Sequence, residues 1–143
     1  MGSLDTTKYV EFRDYTIINL IMDSGMRVGE TLALQIHDVD LVRRAVMINA
    51  DNVKSKRDRK VMNFEKNFKK YITLCGIKKY ITPHSLRNNF GRRFLMAGGD
   101  IFTLSKILGH SSVEVTEQTY TDLSDEDIRK NYQRFSPIEN MDK

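Results

Sequence analysis

The chain has 143 residues, 23 Lys and Arg against 19 Asp and Glu, and a net charge of +4. That length fits one domain that buries its own core, and its single cysteine excludes an internal disulfide framework. No run approaches the roughly 20 apolar residues of a membrane span, and the first residues lack the layout of a signal peptide. The charge is segregated, with 15 Lys or Arg against 3 Asp or Glu between Arg43 and Arg93. Such a block is the electrostatic footprint of a polyanion-binding face, although a merely solvated basic surface has the same composition.

Met1-Gly2-Ser3-Leu4 reads as an expression-vector scar, so residues 1–6 are set aside as remnant or linker. TTKYVEFRDYTIINLIMDSG carries apolar residues at helical spacing and stops at Gly25. RVGETLAL reads as a short helix entered directly from that glycine. RRAVMINAD and RKVMNF flank the polar NVKSKRD and read as a β-hairpin with a basic tip. EKNFKKYITLCG returns to helical period, with Cys75 expected as a core thiol in a reducing compartment.

Thr82 suits a helix N-cap, and Pro83 the first helical position, where no amide hydrogen is needed. That helix is expected to run to Gly98-Gly99, followed by IFTLSKILG as a short buried helix. Ser111 and Glu114 have capping-box spacing and open another helix to about Tyr120. SDEDIRKNYQRF has a capping serine and an acidic first turn, so a last helix is expected from about Asp125 to Phe135. No repeat or Pro/Gly-rich linker marks an internal boundary. The expected fold is mainly α with a small antiparallel β-sheet, an α+β architecture.

Four polar features stand apart from this scaffold: Arg27 after the Ser24-Gly25 break, Lys54 in the hairpin, the His84/Arg87 pair, and LGHSS followed by Tyr120. Each has a bland reading by itself, as a surface arginine, a structural histidine or a packed tyrosine. Together and in this order they resemble the catalytic domain of the tyrosine recombinase (phage integrase) family, from about residue 7 to residue 135. SGMRVGETLAL is similar to the family's first arginine motif, with Glu30 at its acidic position. VKSKRDRKV resembles the hairpin bearing the lysine, PHSLRNNF the His-x-x-Arg box, and LGHSSVEVTEQTYTDLS the segment with the last histidine and the nucleophile.

The physical chemistry of such a set follows from the residue types. A phosphodiester repels nucleophiles and gains charge in the transition state, so catalysis calls for fixed cations around its non-bridging oxygens. Arg27 and Arg87 suit that task, because a guanidinium stays charged and donates in a planar fork. His110 supplies another donor. The resemblance implies that Tyr120 is the nucleophile, forming a 3′-phosphotyrosyl link without ATP, metal or other cofactor. A phenol near pKa 10 needs a proton acceptor, for which His84 is the candidate, and the leaving 5′-oxygen needs a proton, for which Lys54 is the matched acid.

Lys54 is chosen over Lys56 because the family lysine falls several residues before the Arg-x-Val strand. Lys56, Arg57, Arg59, Lys60, Arg92 and Arg93 are expected on the DNA backbone, and Glu30 is expected to brace the arginine region. His37 fits no motif and reads as a loop residue. Three dispersed histidines and one cysteine give no metal-ligand spacing.

The resemblance further implies double-stranded DNA as partner, a homotetramer on DNA, and a cytoplasmic bacterial setting on the nucleoid. The tetramer would use the last helix, with Ile128, Tyr132 and Phe135 on one face. It also implies that residues 7–143 form a C-terminal catalytic domain without its usual N-terminal DNA-binding partners. Integration or excision of a mobile element is the expected activity. Type IB topoisomerase-like relaxation and a non-cutting DNA-binding module are the alternatives.

Overall fold

The computed structural model describes residue 5, residues 7–49, residue 53 and residues 58–120. Residues 1–4 and 6 of the expected remnant, the hairpin tip with Lys54, Lys56 and Arg57, and the last helix with Ile128, Tyr132 and Phe135 lie outside the described residues. The chain divides into two compact units, Met1–Arg87 and Asn88–Lys143.

The first unit opens with α1 (Tyr9–Ser24), which Gly25 ends in a left-handed conformation. A single turn, α2 (Val28–Thr31), follows. A 3₁₀ turn (Ile36–Asp38) then places the exposed His37 beside Asp38, at 3.6 Å. Next come β1 (Val39–Asp40) and β2 (Ala45–Val46), paired antiparallel with Val39 opposite Val46. The turn between them is built by Asp40, whose Oδ1 accepts from the amides of Val42 at 3.0 Å and Arg43 at 2.9 Å.

RKVMNF is not the second arm of the hairpin. It is the start of α3 (Arg59–Leu74), and the helical period explains why. Val61 and Phe64 look like strand residues in a six-residue window. Extended to Phe68 and Tyr71 the buried positions recur at steps of three and four, which is a helix face. Asp58 supplies the start signal, its side chain accepting from the Lys60 amide at 2.8 Å. The expected Arg-x-Val strand is therefore the first turn of a helix. Cys75 is exposed rather than a core thiol: it continues the apolar register, but the helix has already ended at Leu74.

The core of this unit joins α1 to α3, with Ile17, Ile18 and Ile21 against Phe64, Phe68 and Tyr71. Phe64 and Phe68 stack with centroids 6.1 Å apart. One charge sits inside this contact. The fully buried Asp14 accepts from Arg13 at 2.7 Å, and its other oxygen from Asn67 and Tyr71, both at 2.9 Å. A buried carboxylate is tolerable only when its lone pairs are matched this way, and the matching keys α1 against α3.

The unit boundary falls within α4 (Pro83–Met96). Its start has the expected cap: Thr82 Oγ1 accepts from the Ser85 amide and Ser85 Oγ from the Thr82 amide, each at 3.2 Å. The second unit continues through α5 (Ile101–Leu108) and α6 (Val113–Tyr120), which pack around Leu95, Leu104, Leu108 and Tyr120. Asp100 caps α5 through the Thr103 amide at 2.8 Å. At α6 it is the Ser112 hydroxyl, one residue after the serine selected by spacing, that bonds Glu114 and lowers its pKa.

Candidate active site

In the first unit, the two sequence arginines come together with His84 around one cavity of about 520 Å³. Arg27, Thr82, His84, Arg87 and Glu65 supply its polar lining, over an apolar floor that includes Met26 and Val61. Val53, which precedes Lys54 in the chain, also lines it.

Arg87 is held by a main-chain oxygen distant in sequence and Arg27 by a near neighbour. Gly25 takes φ of 70°, a conformation costly for side-chain-bearing residues, and so turns the chain out of α1. Its carbonyl then accepts from Arg87 Nη1 at 2.7 Å, fixing a guanidinium whose residue is only 4% exposed. Two residues on, Arg27 is clasped by Glu30. One carboxylate oxygen takes the Arg27 amide at 2.6 Å and the other takes its Nη1 at 2.7 Å. Glu30 is buried while the Arg27 side chain is about half exposed, so the cation is anchored from beneath and presented outward.

His84 is exposed in the first turn of α4, and Arg87 lies one turn further on the same face. The N-terminal end of a helix dipole favours anions, so the cavity combines two guanidinium groups with the positive end of a fourteen-residue helix. Such a lining suits an anion. Glu65 on the wall places a negative charge beside the site and limits the net attraction.

His110 and Tyr120 belong to the second unit. His110 follows Gly109, which ends α5, and its Nδ1 lies 2.8 Å from Oγ1 of the fully buried Thr116. That contact sets the orientation of the ring. Ser105 supports the same turn, its buried hydroxyl donating to the Ser112 carbonyl at 3.2 Å and its own carbonyl accepting from the His110 amide at 3.1 Å. Tyr120 ends α6 and is 5% exposed, packed with Leu95, Leu104 and Leu108. Among the basic residues expected on DNA, Arg59, Lys60 and Arg93 are exposed and Arg92 is half-buried.

Sequence reasoning missed Thr116, Ser105 and the Gly25 carbonyl. The first two look like ordinary small polar residues of amphipathic helices, and a main-chain oxygen has no sequence signature at all. Among the described residues, no group of three or more His, Cys, Asp or Glu side chains is arranged to hold a metal. No helix among them is long and apolar enough to cross a membrane.

The chain is 29% identical to the tyrosine recombinase XerD of Lacticaseibacillus casei, over 96% of this chain and 59% of that protein. Its fold is similar to the crystal structure of XerA recombinase, with a TM-score of 0.70 and 30% identity over 87% of this chain and 57% of that one. It also resembles the catalytic domain of bacteriophage HP1 integrase in fold, at a TM-score of 0.54 and 24% identity, covering 87% of this chain and 82% of that domain. The chain thus spans a little over half the length of the curated relatives it matches. The model of the phage integrase family matches residues 3–63 and 61–127, nearly the whole chain. This chain belongs to the phage integrase family.

Proposed function

We propose that this chain is the catalytic part of a site-specific DNA recombinase that cuts and rejoins strands through a 3′-phosphotyrosyl intermediate, as in integration or excision of a mobile element. The observation that carries the reading is the cavity where Arg27, His84 and Arg87 meet the N-terminus of α4. A scissile phosphate seated there is held by both guanidinium groups, and His110 adds a donor to its oxygens as charge builds. The Tyr120 oxygen attacks phosphorus while His84 accepts the phenolic proton. The bond to the 5′-oxygen breaks, and Lys54 protonates that leaving group. Bond energy is conserved in the new ester, so a second 5′-hydroxyl reverses the step without ATP, metal or cofactor.

Support for Lys54 is that its chain neighbour Val53 lines the cavity. Glu30 supports rather than reacts, since both its oxygens are engaged by Arg27. Lys56, Arg57, Arg59, Lys60, Arg92 and Arg93 contact the duplex backbone, and the charge segregation of the sequence favours this assignment. Assembly on DNA is as a homotetramer through the segment from Asp125 to Phe135, for which the support is apolar spacing in the sequence. DNA as substrate, in bacteria like the relatives, sets the working compartment as the cytoplasm, on the nucleoid.

The test is covalent capture. The chain is incubated with a pool of nicked duplexes of randomised sequence, denatured, and the attached DNA sequenced. An adduct that disappears in Tyr120→Phe is the expected result. An adduct that survives in Tyr120→Phe removes the nucleophile assignment. Tight duplex binding without any adduct leaves a non-cutting DNA-binding module.

A further inference from the structure

The helix α3 carries the exposed basic residues Arg59, Lys60, Lys66, Lys69 and Lys70 and a single acidic one, Glu65. Glu65 is half-buried and lines the cavity of about 520 Å³ together with Val61, one turn earlier on the same helix face. It lies beyond the first turn of α3, which Asp58 already caps, so neither capping nor the helix dipole accounts for a carboxylate there. The other carboxylate at this site, Glu30, is committed to Arg27 at 2.7 Å. Among the described residues, Glu30 and Glu65 thus bring the negative charge level with that of Arg27 and Arg87.

A phosphodiester carries one negative charge, whereas a phosphate monoester or free phosphate carries nearly two at neutral pH, its second pKa being about 6. Two guanidinium groups and a helix N-terminus attract both, and the dianion more strongly. A carboxylate on the wall works against that preference, because its repulsion is twice as large for a dianion as for a monoanion in the same seat. We infer that Glu65 is a specificity-determining residue whose charge favours a phosphodiester in the cavity over phosphate monoesters and free phosphate. That a diester is the proper guest rests on the recombinase reading, while the charge discrimination itself is independent of cutting. Free phosphate, nucleotides and DNA 5′-phosphate ends are the competitors held off in this way.

The test compares methyl phosphate, a dianion at pH 8, with dimethyl phosphate, a monoanion, at one low ionic strength. Chemical shifts of the His84 imidazole read occupancy of the cavity, and a single pH gives both ligands the same state of that ring. Coulomb energy is linear in the guest's charge, so the gain for the dianion is the square of the gain for the monoanion. In Glu65→Gln, affinity should rise about threefold for dimethyl phosphate and about tenfold for methyl phosphate. Equal gains for the two ligands, no gain for either, or no response of His84 to either ligand in both proteins overturns the proposal.

Glutamine and alanine both suit a helix interior, so Glu65→Ala serves as a second neutral variant and decides if Glu65→Gln does not fold. Glu65→Asp keeps the charge and should stay within about twofold of the native chain for both ligands. A Glu65→Asp that gains as much as Glu65→Gln assigns the effect to shape and refutes a role for charge. On nicked duplex, inorganic phosphate at pH 8 should halve adduct formation at about a tenfold lower concentration in Glu65→Gln than in the native chain. An unchanged inhibitory concentration overturns the selectivity while the adduct itself upholds the recombinase reading. Discrimination between the two methyl esters without an adduct on any duplex refutes that reading instead, so the two failures are distinguishable.

Discussion

Tyr71→Phe removes one hydroxyl from the α1–α3 contact, and its cost is set by what that hydroxyl meets. The Tyr71 hydroxyl donates to Asp14 Oδ2 at 2.9 Å, and Asp14 has no exposed surface. A hydrogen bond to a charged acceptor contributes about 1.5–3 kcal/mol. Asn67 still serves the same oxygen and Arg13 the other, so the lower end, about 1.5–2 kcal/mol at pH 7, is expected.

Burial raises the pKa of Tyr71 first, and the hydrogen bond to Asp14 adds to it. A raised phenol keeps its proton in the native state while the unfolded chain ionises near 10. The stabilisation is therefore complete below pH 10 and declines as pH rises further. By pH 11 the native chain should lose about 1.4 kcal/mol relative to Tyr71→Phe, nearly closing the gap between them. Urea denaturation followed by circular dichroism at pH 7, 9, 10 and 11 measures both quantities. A difference below about 0.5 kcal/mol at pH 7, or a gap that does not narrow above pH 10, refutes the argument.

Further outcomes follow from the same contacts. Glu30→Gln keeps the shape but sets an amide against either the Arg27 amide or its guanidinium, each a donor facing a donor. Adduct formation should fall about tenfold with a stability loss of about 1–2 kcal/mol, read by single-turnover assay and urea denaturation. Asp100→Ala removes the cap of α5 and lowers the melting temperature at pH 7. The carboxyl's pKa is lowered by the Thr103 contacts, so this contribution is present above the ordinary carboxylate range and vanishes as pH falls through the depressed native value. Melting of Asp100→Ala and the native chain should therefore converge in acid. Duplex affinity should fall steeply as salt is raised, because backbone contacts by a basic block release counterions. An affinity indifferent to salt in a fluorescence-anisotropy titration would sink the basic-face reading.

The helices were legible wherever local chemistry speaks for itself. Gly25 after α1 and Thr82-Pro83 before α4 carry short-range signals that outlast any tertiary context, whereas the sheet pairs Val39–Asp40 with Ala45–Val46 and not the two runs that flank NVKSKRD. The start of α3 was not legible, because six residues sample too little of a 3.6-residue period to separate a helix face from an alternating strand. Cys75 shows the same limit at the other end, since periodicity records which way a side chain points and not whether a partner surface extends that far.

The amino-acid order alone determined which residue types are available for phosphate chemistry: two guanidinium groups in separate motifs, a histidine one turn before the second of them, and a tyrosine ten residues after another histidine. Only the tertiary structure decided what holds them. The Gly25 carbonyl that grips Arg87 comes from 62 residues away, and Thr116 aligns His110 through a bond across a turn. Such partners are chosen by where the backbone returns in space, which no local pattern encodes. Gly91 is the sharpest instance: in the sequence it is a weak point in a helix, and in three dimensions it is the floor beneath the Tyr120 phenol.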